Sequence, residues 1–141
     1  GTHGYRLPTE AEWEDAARGG ATEQPTKYAG SNRLDEVGWY DQNSHDETKP
    51  VGLKLPNELG ICDMSGNVWE WCEDQWHNTY KGAPDDGSAW VDQEQVTYRV
   101  IRGGSWIGSV WLCRTTRRDD STPASRFNFI GFRLVLSALP V

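Results

Sequence analysis

Three cysteines and three histidines are the side chains of this 141-residue chain that could act as nucleophiles or bind transition metals. The cysteines are Cys62, Cys72 and Cys113, and an odd, small number does not indicate a disulfide framework, although one Cys72–Cys113 bridge stays open. Neither a Cys-x-x-Cys nor a His-Glu-x-x-His pattern occurs, and the histidines are scattered. The spacing of these residues therefore indicates no zinc site.

The charged residues are distributed unevenly along the chain. The formal net charge is −7, which argues against general phosphate binding and hence against nucleic acid as a partner. Seven basic and 19 acidic residues precede Thr97, whereas seven arginines and two aspartates follow it. We expect these arginines to brace loops internally, and a basic surface for nucleic acid is the weaker alternative.

The composition predicts a folded domain. Eight tryptophans argue against disorder, and the 15 glycines have no three-residue period, which excludes a collagen-like chain. No apolar run approaches the length of a membrane-spanning helix, and no signal peptide is recognisable, so the compartment stays open. The length suits a single domain over residues 1–141.

One helix is predicted near the start. Thr9 and Glu12 fit a capping box after Pro8, and Trp13 with the alanines that follow forms one apolar face. The glycine pair at 19–20 predicts the end of this helix.

The rest of the chain predicts short strands separated by long loops. Strands are expected at residues 67–72, 98–101, 112–116 and 130–136, and loops at 21–58, 74–95 and 119–125. Few helices with short strands indicate an α+β fold with a small antiparallel sheet.

Four segments carry a family resemblance. They read Tyr-Arg-Leu-Pro-Thr-Glu-Ala-Glu-Trp-Glu (5–14), Gly-Ile-Cys-Asp-Met-Ser-Gly-Asn-Val-Trp-Glu-Trp (60–71), Arg-Gly-Gly-Ser-Trp (102–106) and Ile-Gly-Phe-Arg-Leu (130–134). In this order they resemble the formylglycine-generating-enzyme (sulfatase-modifying-factor) family, whose fold is a variant of the C-type lectin fold. That family's domain normally has a sizeable portion before this helix, so we expect part of the domain to be missing.

The resemblance does not extend to the chemistry of the family's enzymes. Those enzymes use a pair of cysteines close after the Gly-Gly-Ser-aromatic motif to hold copper and carry the redox step. The corresponding segment 105–110 contains no cysteine. We therefore expect no catalytic residue and no copper, with an oxidase of this type, or an accessory domain of a larger enzyme, as the alternative.

The resemblance also implies a structural calcium site. Its ligands would be the carboxylates of Asp63 and Glu70 and the carbonyls of Gly66 and Val68, since calcium takes several hard oxygens in flexible geometry. In the alternative interpretation, Asp63 stabilises an Asx-turn and Glu70 pairs with a buried arginine.

The arginines and tryptophans of the four segments have expected internal roles. We expect Arg102, Arg114 and Arg133 to pair with core carboxylates or loop carbonyls. We expect the tryptophans of these segments to lie in the core. They are Trp13, Trp69, Trp71 and Trp106.

Residues 107–129 depart from the polar loops usual in the family, because apolar and aromatic residues occupy them. This departure, together with the nearby end of the chain, resembles the variable proteins of diversity-generating retroelements, which diversify this segment of the same scaffold. The resemblance implies a ligand-binding surface whose ligand we expect to be a protein. Its predicted residues are Ile107, Ser109, Trp111, Leu112, Thr115, Arg117, Asp119, Asp120, Phe127 and Phe129. The alternative is an ordinary family loop with extra core residues.

Overall fold

The computed structural model describes residues 4–95 and 97–137. Within these residues, two helices, one 3-10 helix and six short strands are joined by long loops. The helices are α1 (Glu10–Ala17), α2 (Leu34–Val37) and a 3-10 helix (Val110–Cys113). The strands are β1 (Tyr5–Arg6), β2 (Trp69–Gln75), β3 (Arg99–Arg102), β4 (Arg118–Ser121), β5 (Ile130–Gly131) and β6 (Val135–Leu136). Among the described residues, no helix has the length and apolar character needed to cross a membrane.

The predicted capping box at the start of α1 is confirmed. The Thr9 hydroxyl accepts a hydrogen bond from the backbone N–H of Glu12 at 3.1 Å, and the Glu12 carboxylate accepts one from the N–H of Thr9 at 2.9 Å. A cap of this kind contributes about 1 kcal/mol. The helix ends after Ala17, where the predicted glycine pair follows with positive φ at both positions.

A four-stranded sheet in the order β4-β3-β2-β5 is the main layer, and β1 pairs with β6 in a separate antiparallel ribbon. The predicted α+β class is confirmed, and β2–β3 and β3–β4 are antiparallel as expected. The β2–β5 pair is parallel, so the sheet is mixed rather than wholly antiparallel.

Three predicted elements are wrong in detail. Residues 112–116 form no strand, because the chain forms the 3-10 helix Val110–Cys113, which buries the side chain of Cys113. The first three residues of the predicted polar loop 119–125 belong to strand β4, which pairs with β3. This pairing overrides the low strand propensity of the residues in β4. The predicted strand 130–136 is split between β5 and β6, and Arg133 in the gap reaches back to Glu70.

The core consists of two clusters of buried side chains. The first contains Trp13, Ala17, Ala29, Met64, Cys72 and Val100. The second contains Tyr28, Leu34, Val37, Tyr40 and Cys113. Cys72 and Cys113 therefore lie in different clusters, and both are free thiols, so the bridge between them is not formed. The expected core positions of Trp13, Trp69 and Trp106 are confirmed, whereas Trp71 is half-buried.

Arg102 at the end of β3 holds α1 against the sheet. Its fully buried guanidinium donates to the carboxylates of Glu10 and Glu14, each at 2.7 Å, and to the carbonyl of Thr115 at 2.5 Å. Burial acts to lower the pKa of Arg102, but the hydrogen bond and charge of Glu14 and the charge of Glu10 outweigh it and leave the pKa raised. The expected internal pairing of this arginine is confirmed.

Replacing Arg102 with methionine is expected to lower the free energy of unfolding by about 3–5 kcal/mol, because it leaves two carboxylates without their buried cation. Urea unfolding followed by tryptophan fluorescence measures the change. The matched control is Arg126→Met, which removes an exposed arginine and is expected to change stability by no more than about 0.5 kcal/mol. Equal effects of the two substitutions would contradict a central role for the buried ion pair.

Candidate functional site: the loop surface between residues 105 and 129

A tight glycine turn begins the segment that was predicted to bind a ligand. Gly103 and Gly104 have φ of 101° and 73°, a region that favours glycine. A Cβ on Gly104 would lie 2.7 Å from the Cys113 sulfur, which is closer than side-chain atoms approach. The turn therefore packs the end of β3 directly against the 3-10 helix and positions the loop that connects them.

Trp106 fastens this loop to two other parts of the chain. Its backbone N–H donates to the Asn67 carbonyl at 2.8 Å, and its indole N–H donates to the Asn128 carbonyl at 3.1 Å. Its own carbonyl accepts a hydrogen bond from the Ser44 hydroxyl at 2.8 Å. The buried Trp106 thus brings the loop that begins at Ile107 next to the loop that contains Asn128.

Large apolar side chains project from these anchored loops. Ile107 is 55% exposed, Trp111 63% and Phe127 52%. Phe129 is half-buried and stacks on Phe127, with the ring centroids 4.9 Å apart. We call Ile107, Trp111, Phe127 and Phe129 the aromatic patch. The alternative expectation, in which these residues fill the core, is wrong for the three exposed ones.

The remaining predicted surface residues divide into accessible and buried ones. Ser109 and Arg117 are exposed, and Leu112 is half-buried beside Gly108. Thr115 is 2% exposed, and its backbone groups bond to Lys27 and Arg102, so its assignment to the binding surface is wrong. The backbone of Thr115 is required in the interior.

Asp119 and Asp120 lie on opposite faces of β4, because successive strand residues alternate. Asp119 pairs with Ile101 of β3, whereas Asp120 pairs with Val100 on the side that faces α1. Burial raises the pKa of Asp120, and the charge of Asp119 adds to the shift. The side chains of the two aspartates therefore leave β4 on opposite faces, and Asp119 lies 3.8 Å from Arg117.

Arg114, which was expected to have an internal role, contacts the aromatic patch. Its guanidinium carbon lies 4.3 Å from the centre of the Trp111 ring, and no carboxylate within the described parts of the chain forms an ion pair with it. The expectation that Arg114 pairs with a core carboxylate or a loop carbonyl is wrong for the described residues, where its Nε is buried without a hydrogen-bond partner. Its position three residues after Trp111, within one helical turn, is the sequence signal that points to this contact.

One of the predicted calcium ligands, Glu70, pairs with Arg133. This arginine donates to both oxygens of the Glu70 carboxylate, at 2.7 and 2.8 Å, and to the Cys62 carbonyl at 2.9 Å. The indole N–H of Trp13 donates to the same carboxylate at 2.7 Å. The expected internal role of Arg133, and the alternative in which Glu70 pairs with an arginine, are confirmed.

Asp63 fits a bound cation better than Glu70 does. One of its oxygens accepts from the N–H of Gly52 at 2.8 Å, and the other is buried with no hydrogen-bond partner in the described residues. A Cβ on Gly66 would collide with the backbone of Trp39, so this turn is tightly held. No group of three His, Cys, Asp or Glu side chains in residues 4–95 and 97–137 could hold a metal, so a calcium ion here depends on carbonyls. Calcium binding by Asp63, Gly66, Val68 and Glu70 stays a prediction.

The thiol beside the loop surface is poorly suited to redox chemistry. Cys113 is fully buried, and burial raises its pKa to about 12, whereas reactive cysteines have lowered pKa values. Burial also raises the pKa of Cys72.

Comparison with known proteins shows the family. Residues 1–138 match the model of the sulfatase-modifying factor enzyme 1-like domain, and the chain belongs to this family. The chaperone protein LppX of Paenibacillus barcinonensis is 43% identical over 78% of this chain and 41% of that protein. The formylglycine-generating enzyme of Thermomonospora curvata is 36% identical over 96% of this chain and 50% of that enzyme.

The structure is also similar to Treponema denticola variable protein 1, with a TM-score of 0.78 and 38% identity over 92% of this chain and 46% of that protein. The expected family and its C-type lectin-like fold are therefore confirmed. The chain spans half or less of the length of these three relatives.

Calcium is expected to raise the melting temperature of protein that has first been treated with EDTA. A free calcium concentration of about 100 times the Kd stabilises a folded protein by about 2.7 kcal/mol, and differential scanning calorimetry measures the shift. Asp63→Asn is expected to abolish the shift, whereas Asp86→Asn, at an exposed aspartate, preserves it. An unchanged melting temperature of the wild-type protein in millimolar calcium would show that this set of ligands binds none.

Proposed function

We propose that this chain is a ligand-binding module that presents a diversified surface near its C-terminus, as the variable proteins of diversity-generating retroelements do. The observation that carries the proposal is the aromatic patch: exposed apolar side chains on loops whose backbones are held by buried residues. The ligand in this proposal is a protein, because large aromatic side chains surrounded by polar ones are typical of protein–protein hot spots.

The exposed side chains offer substantial binding energy. Fully burying a Leu or Phe side chain contributes about 1.5–3 kcal/mol, and aromatic side chains bury about 150–250 Å² each. Trp111 and Phe127 leave more than half of their surface exposed, so a partner could still gain much of this energy. Trp106 supports the proposal as well, since an anchored loop loses less conformational entropy on binding.

The surroundings of the patch also support diversification. The loop segment lies between the Gly-Gly-Ser-Trp turn and the Gly-Phe-Arg segment, both of which supply internal contacts. Side chains at Ile107, Trp111 and Phe127 can therefore change without altering those contacts. The similarity to Treponema denticola variable protein 1 adds to this interpretation.

An oxidase of the formylglycine-generating type, or an accessory domain of a larger enzyme, is the alternative. The identity to the Thermomonospora curvata enzyme favours it. The chemistry of the site favours the binding module, because residues 105–110 contain no cysteine and Cys113 is held as a buried thiol of raised pKa. Copper-dependent oxidation of a cysteine-containing sulfatase peptide by this chain would support the alternative over our proposal.

Substitutions at the exposed positions are expected to lower stability only slightly. Trp111→Ala and Phe127→Ala should each lower the free energy of unfolding by no more than about 1.5 kcal/mol, because each removes one contact, with Arg114 or with Phe129. Trp106→Ala, the matched core control, should cost about 3–5 kcal/mol because it leaves a cavity. Urea unfolding distinguishes these cases, and a large loss from Trp111→Ala would mean that this position is structural and not free to vary.

The DNA around the gene provides an independent test of diversification. We expect a reverse transcriptase gene nearby and a near-copy of the sequence that encodes residues 102–134, with differences confined to adenines of the copy. Sequencing several isolates is then expected to show changes at the positions of the aromatic patch. The proposed diversification would be refuted if the locus has neither feature and the segment is invariant among isolates. Binding itself could still be measured.

A further inference from the structure

Three arginines lie in the same segment of the chain as the aromatic patch. Arg114 stacks on Trp111, and Arg126 is the exposed neighbour of Phe127 in the chain. Arg117 is also exposed, and its N–H donates to the Arg114 carbonyl, which closes a turn between the two arginines. In the parts of the chain that the structure describes, only Asp119 approaches one of them, 3.8 Å from Arg117.

Two carboxylates lie near this segment, Asp119 and the exposed Asp41, whose N–H donates to the Gly108 carbonyl at 3.0 Å. Three arginines against these two carboxylates leave the local charge positive, although the whole chain has a formal net charge of −7. Arg118 does not contribute, because it is turned inward and bonds to the Glu10 carboxylate at 2.6 and 2.9 Å. Charges separated by more than a Debye length, about 8 Å at physiological salt, are largely screened in solvent. A ligand on the patch consequently responds to these arginines more than to the acidic remainder.

We infer that the aromatic patch, with Arg114, Arg117 and Arg126 at its border, binds an acidic polypeptide segment that inserts a bulky apolar side chain beside Trp111. The inference rests on the proposed binding function and names the chemistry of the partner. Arginine recognises carboxylates through two parallel N–H groups, and the guanidinium of Arg114 already lies over the Trp111 indole. The apolar side chain supplies binding energy, and the carboxylates supply orientation and specificity.

A short acidic peptide fits this surface better than a nucleic acid does. Phe127 and Phe129 stack on each other, which leaves only the outer ring faces of the pair for a base. A polynucleotide that continued beyond the patch would meet the acidic body of the chain, where 19 carboxylates accompany seven basic residues before Thr97. An extended peptide advances only about 3.3 Å per residue, so a few residues remain within the positive area.

The experiment selects short random linear peptides, displayed on phage, for binding to the full chain. Recovered sequences are expected to carry Asp or Glu on both sides of an aromatic or large aliphatic residue. A synthetic peptide of the recovered consensus is then titrated by isothermal calorimetry. The double variant R117Q/R126Q is expected to weaken its binding about tenfold, roughly 1.4 kcal/mol, and to reduce the salt dependence of Kd.

The control variant R18Q/R33Q removes the same charge from two exposed arginines outside the loop segment and is expected to leave the Kd unchanged. Trp111→Ala is expected to abolish binding. Every substituted side chain is exposed, so circular dichroism should show an intact fold in each variant.

Other outcomes would overturn the inference in distinguishable ways. Peptides that need Trp111 but carry no acidic excess would refute the acidic partner and leave the proposed binding function standing. Peptides indifferent to Trp111→Ala and Phe127→Ala, or recovery of none, would count against both. Displacement of the acidic peptide by an oligothymidylate of similar length, at equal concentration, would point to nucleic acid instead.

Discussion

The rest of the structure depends on the ion pairs that the buried guanidinium of Arg102 forms. One turn of α1 supplies both carboxylates that neutralise it, and the Thr115 carbonyl accepts a further hydrogen bond from it. Glu10 also receives Arg118 from β4, so helix, inner strand and edge strand meet at one carboxylate. With few aliphatic side chains available, ionic hydrogen bonds and tryptophans perform the work that leucine and isoleucine perform in most cores.

In the loop segment, the residues that hold the backbone differ from those whose side chains are exposed. The backbone of the loop segment is tied down by the glycine turn and by Trp106, whereas the side chains of Ile107, Trp111 and Phe127 are not needed for those contacts. A surface built in this way can change its chemistry while the fold stays constant, because few of its side chains enter the interior. Thr115 marks the limit, since its backbone is required inside.

Structural features that depend on residues close together in the sequence could be predicted from the sequence. The capping box of α1 depends on side chains three residues apart, so local sequence contains all of its information. The pairing of β4 with β3 was missed, because four polar residues form an edge strand only when a partner strand is present. Of the candidate site, the exposed aromatic residues could be identified from their departure from the family pattern. The inward position of Thr115 and the opposite faces of Asp119 and Asp120 could not.

The sequence by itself determined the family, the fold class, the helix with its cap, and the segment that departs from the family's loops, because these follow from motifs and local spacing. Only the tertiary structure decided which arginines brace the interior and which border the surface. Arg102, Arg114 and Arg133 all sit in or near family motifs, yet two bind core carboxylates and one stacks on Trp111. The physical reason is that an arginine's role is set by the charges within a few ångströms of its guanidinium, and distant segments supply those charges.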